Sequence, residues 1–91
     1  MTESDILGIL KIDLQINAAQ YDAYLEKLIS FAKDAIFEEG IILRKESASD
    51  GMLVEMYAAY LYRKRKEENT TMPRSLRYAL NNRLFSQKGS A

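Results

Sequence analysis

With 91 residues the chain has room for one small domain and not for two. Apolar residues make up 47%, enough for a core, though a core this small gains from association with other chains. Cysteine and histidine are absent, which excludes disulfides, thiolate metal sites and the usual near-neutral acid–base residue, and the 13 basic and 13 acidic residues cancel.

The charge is unevenly spread. Residues 1–50 carry five Lys/Arg against ten Asp/Glu, and residues 51–91 carry eight against three. The simpler expectation is that the halves interleave and cancel. The alternative is a molecule with two oppositely charged faces, suited to head-to-tail association. The opening "MTESDILGIL" has no secretory-signal pattern, and no run approaches ~18 consecutive apolar residues.

A short first helix is expected over Ser4 to Lys11, capped by Ser4, with Asp5 in its first turn and Gly8 weakening it. "KIDLQIN" then alternates, but it is too short and isolated for a sheet and reads as a connector. The second helix, Ala18 to Glu39, starts at an Asn17/Gln20 capping-box pattern and ends at Gly40. Its inward face comprises Tyr21, Tyr24, Leu25, Leu28, Ile29, Phe31, Ala32, Ala35 and Ile36, and Phe37 points away from it. A loop, "IILRKESAS", leads to "SASD", where Ser47 or Ser49 can cap the third helix.

That helix, Asp50 to Lys66, is apolar almost all the way round, and only Glu55 interrupts it. Such a helix is either the central strut of the domain or lends a face to a neighbouring subunit. It closes on four consecutive cations, Arg63, Lys64, Arg65 and Lys66, which splay in different directions and complement the helix C-terminus. Their primary reading is a solvated helix end, and a charged protein interface comes next. The fourth helix runs from Pro73 to about Phe85, with Leu76, Ala79, Leu80 and Leu84 inward. Tyr78 and Phe85 share another face beside Arg74. Most of the aromatics are expected in the core. "SQKGSA" reads as a disordered tail, giving one helical domain over 1–88 and a tail over 89–91.

Catalytic chemistry finds no foothold. The acidic pairs Glu38-Glu39 and Glu67-Glu68 diverge on a helix and cannot clamp a metal, and no glycine-rich phosphate loop is present. No catalytic residue, cofactor or metal site is assigned, and the chain is not expected to be an enzyme. Arg74, Arg77, Asn81, Asn82 and Arg83 on the last helix keep open an alternative, a small helical DNA-binding or packaging-associated regulator. A third reading is a cytoplasmic adaptor.

Taken together, "DGMLVEMYAAYLYRKRK", "MPRSLRYALNNRLF" and the upstream "LKIDLQINAAQYDAYLEKLISFAKDAI" resemble the small head–tail connector (neck adaptor, DNA-packaging) proteins of tailed double-stranded DNA phages. The resemblance runs from about Ser4 to Lys88 and rests on the order and spacing of the helices. It implies an all-α bundle of about four helices and a structural virion role, in a free phage or a prophage. The chain would form a homo-oligomeric ring, dodecameric on the portal protein, docking after DNA packaging and joining the next neck or tail-completion protein. DNA would pass through the channel without specific recognition, and no membrane is involved. The protein would sit at the head–tail junction of the virion, and in the host cytoplasm during assembly. Phe37, Arg63, Lys64, Arg65, Lys66, Arg74, Arg77, Tyr78 and Phe85 are the candidate subunit or portal contacts, chosen from their surface positions.

Overall fold

A computed structural model describes residues 1–89. Four α-helices form a small all-α bundle: α1 (Glu3–Leu14), α2 (Asp22–Glu38), α3 (Ala48–Lys66) and α4 (Arg74–Gly89). A 3-10 turn, Ala19–Tyr21, leads into α2.

The first helix starts earlier and ends later than the sequence suggests. Thr2, not Ser4, is its cap: the Thr2 hydroxyl accepts from the Asp5 N–H at 3.1 Å, and Asp5 accepts from the Thr2 N–H at 3.0 Å. The expected connector is largely helix, because Leu7, Leu10 and Leu14 continue a helical stripe through "KIDL". Gln15 ends it in the left-handed conformation, φ 59°. The Asn17/Gln20 capping box does not form; α2 begins without a side-chain cap, and Lys11 Nζ meets Asp22 Oδ1 at 2.7 Å there.

Helix α2 buries Leu25, Leu28, Ile29, Ala32 and Ile36, a stripe about 100° wide. Tyr24 and Phe31 stand at its margin and are exposed, and Tyr21, in the 3-10 turn, is exposed too. Gly40 ends the helix as expected. At φ +95° it lets its own N–H reach Phe37 O (2.9 Å) and the Ile41 N–H reach Ile36 O (3.4 Å), the two bonds of a Schellman motif. The following loop has no strand among the described residues, and it inserts Ile41 into the core. Ser47 then caps α3, its hydroxyl accepting from the Asp50 N–H at 3.1 Å.

Helix α3 is the central strut, packed against α1, α2 and α4. Most of its apolar circumference is therefore covered within one chain: Leu53, Val54, Ala58, Ala59 and Tyr60 are buried, and Met52 is its exposed large apolar residue. Pro73 stands just before α4, its carbonyl accepting from the Arg77 N–H at 3.1 Å. Leu76 and Leu80 seat α4 in the core. Ser86 to Gly89, expected in a disordered tail, continue the helix. Gln87 explains this: its amide donates to Gly40 O (2.7 Å), and its carbonyl accepts from the Ile42 N–H (2.8 Å). The remainder of that tail, residues 90–91, lies outside the described residues.

Candidate interaction surface

The aromatics are not mostly in the core. All three phenylalanines are on the surface: Phe31 is 53% exposed, Phe37 68% and Phe85 80%. Tyr21, Tyr24 and Tyr78 are exposed as well, and Tyr60 alone among the aromatics is buried. The helical wheel fails here because the bundle is thin. The outer helices pack mainly on α3, and α1 and α2 also touch each other, but none is enclosed, so residues at the margin of a stripe stay in water. Burying an aromatic side chain is worth roughly 1.5–3 kcal/mol, so these rings are an unused reserve of binding energy. Tyr78 and Phe85, seven residues apart on α4, share its outer face.

The expected basic contacts divide into two groups. Arg77 is a structural link: its guanidinium donates to Glu39 at 2.7 and 3.2 Å, tying α4 to the end of α2, and this pairing raises its pKa. Arg83, kept open as a DNA-reading residue, also turns inward, onto Asp50 and Ile42 O. Among the described ion pairs, Arg63–Asp13, Arg77–Glu39 and Arg83–Asp50 join the basic half to the acidic half. The halves interleave, as the simpler reading of the charge pattern holds.

The other group is exposed. At the end of α3 the four cations take four directions. Arg63 approaches Asp13 of α1 at 3.6 Å. Lys64 lies over the Tyr60 ring (5.7 Å), Arg65 over Tyr24 (5.9 Å) and Lys66 over Tyr62 (5.3 Å). The Lys64 and Lys66 contacts are one helical turn back along α3, whereas Arg65 crosses to α2. Tyr24 and Tyr62 meet with ring centroids 6.4 Å apart. These rings orient the cations without neutralising them, so Lys64, Arg65 and Lys66 remain available to an acidic partner. Arg74 is exposed at the start of α4.

Two carboxyl groups on α3 escape a reading by residue type. Asp50 is 2% exposed. It accepts from Arg44 N (2.8 Å), Nε (3.2 Å) and Nη2 (3.1 Å), and from Arg83 Nε (2.8 Å) and Nη2 (3.2 Å). Burial alone would raise its pKa, but the bonds from Arg44 and Arg83 outweigh it and hold the carboxyl far below the ordinary range. Arg83 could have been placed from sequence, since it lies three residues beyond Leu80 on the inward stripe. Glu55 is 3% exposed and faces α1, where its neighbour is another acid, Asp13. Its sequence signal is its isolation in an otherwise apolar helix.

Two hollows complete the surface. An apolar groove of about 350 Å3 opens between α3 and α4, lined by Met52, Leu53, Met56 and Ala79 among others. A smaller one of about 200 Å3 lies by the start of α3, between Met1, Lys33, Arg44 and Lys45. Among the described residues no three His, Cys, Asp or Glu side chains cluster as metal ligands, and no helix is long and apolar enough to cross a membrane. Comparison with protein-family models, curated proteins and solved structures gives no match to this chain.

Proposed function

We propose that this protein is a structural component of a phage or prophage virion, a head–tail connector that forms a ring on the portal after DNA packaging. In that role it extends the DNA channel and joins the head to the next neck or tail protein. The observation that supports this reading most is the placement of the phenylalanines, all on the surface of a domain whose core is closed without them. A chain that works by being held between other proteins needs such contacts. The sequence resemblance supplies the identity of those proteins. The central position of α3 weakens one argument for a neighbour, since most of its circumference is already covered. The outer face of α4 and the free cations at the end of α3 take its place.

The geometry also favours this role over base reading. Two of the three arginines on α4, Arg77 and Arg83, are engaged within the fold. Arg65 is the cleaner residue for a charge-reversal test, because Arg63 pairs with Asp13 beside Glu55 and its loss would disturb folding too. The variants Arg65→Glu and Phe85→Ser are expected to lower assembly, read by sedimentation with the portal, at least tenfold. Their melting temperatures should stay within a few degrees of wild type, as expected of surface substitutions. Normal assembly by both would remove these surfaces from the contact.

A further inference from the structure

Glu55 is the one acidic residue in the apolar middle of α3, and it is buried without a cation of its own. The charged groups that act on it are Asp13, from the last turn of α1, and Arg63, two turns further along α3. Among the described residues α2 and α4 present no charge that pairs with it. Asp13, on the helix packed against this part of α3, acts on the Glu55 carboxyl both as a hydrogen-bond partner and as a charge, and Glu55 Oε2 is buried with no partner. Arg63 is 3.6 Å from Asp13, so its charge is directed mainly at the other member of the pair.

Two carboxylates cannot share such a place, whereas a carboxyl and a carboxylate can, with the Glu55 O–H donating to Asp13. Asp13 also sits near the negative end of the α1 dipole, which adds to the repulsion. We propose that the Glu55–Asp13 pair is a proton-operated latch: it fastens α1 to α3 while Glu55 is protonated, and it loosens α1 when Glu55 ionises. The released segment would uncover the seats of Ile6 and Leu10, an apolar surface that the closed bundle hides.

The direction of the response follows from linkage. Burial first, then the hydrogen bond and the charge of Asp13, push the Glu55 carboxyl up to about 7, with Arg63 opposing. In the opened state it returns towards the ordinary value of 4.5. The closed state therefore binds the extra proton between those two values. Closure is favoured most at and below the lower value, and the advantage is lost as pH rises to the upper one. Between pH 5 and 8 the opening equilibrium of α1 should rise by roughly 10- to 100-fold.

Hydrogen exchange of the full chain, with intrinsic rates corrected for pH, tests the latch. In wild type, α1 amides should lose 10- to 100-fold in protection between pH 5 and 8, while α3 amides near Ala58 keep theirs. Glu55→Gln should flatten the α1 profile, because its amide donates to Asp13 at every pH. Asp13→Asn, which keeps the size of the side chain, should make the loss smaller and end it at lower pH, because the repelling charge is gone. If Glu55→Gln does not fold, the Asp13→Asn profile decides. The latch is refuted by an α1 profile that neither substitution alters, or by α1 and α3 losing protection together.

Discussion

Asp50 and Glu55 lie five residues apart on α3, and both are withdrawn from water, yet they are held in opposite ways. Asp50 meets two guanidinium groups and the Arg44 backbone N–H, which make its ionised form the natural one. Glu55 meets an acid and keeps an oxygen unpaired, which favours its neutral form. The difference follows from what each faces. Five residues turn the helix by 500°, so Asp50 looks towards α4 and the loop, and Glu55 towards α1. Burial fixes only that a charge is costly there. The neighbours decide whether the site is permanently charged or poised to change.

Asp50→Ala breaks this contrast hardest. It leaves Arg83, its side chain only 13% exposed, without its carboxylate and frees α4 from the start of α3. A loss of about 3–5 kcal/mol is expected in urea unfolding, the usual range for removing one partner of a buried pair. The wild-type site also gives acid sensitivity. The Asp50 carboxyl is depressed in the fold, so its stabilisation is present above the unfolded pKa and lost as pH falls through and below it. A variant that unfolds in urea like wild type would show that the Asp50–Arg83 link adds nothing to the seating of α4.

Glu55→Gln sharpens the contrast from the other side. At pH 8 it should stabilise the protein by about 1–3 kcal/mol in urea unfolding, and at pH 5 by much less, because the wild-type carboxyl is then already protonated. Equal effects at the two pH values would show that Glu55 does not change charge in this range. Arg77→Ala gives the smallest effect. Its pair with Glu39 is bidentate but partly solvated, at 40% and 28% side-chain exposure. A fall in melting temperature corresponding to about 0.5–1 kcal/mol, shrinking at high salt, is expected.

The helices were largely legible in the sequence, because Leu25 to Ile36 and Leu76 to Leu80 repeat at helical spacing, and Gly40 and Ser47 mark ends by necessity of backbone geometry and capping. The ends that went astray depend on choices between neighbours. Thr2 and Ser4 both suit a cap, and the Thr2–Asp5 exchange of bonds decides between them. Gln87 prolongs α4 through bonds to a loop 45 residues away in sequence, which no local pattern reveals. The surface was legible in part. Phe37, Tyr78 and Phe85 are outside as expected, but Arg77, though partly exposed, is engaged within the fold by Glu39. The carboxyl sites depend on partners from other helices, so residue type alone could not distinguish them.

The proposed role of the outer face is tested most directly by imaging the protein mixed with portal rings of a tailed phage. A connector should add a symmetric layer of density to one end of the portal ring, and Phe85→Ser should remove that layer. Bare portal rings at saturating protein, together with tight binding to one DNA sequence, would contradict the proposed role.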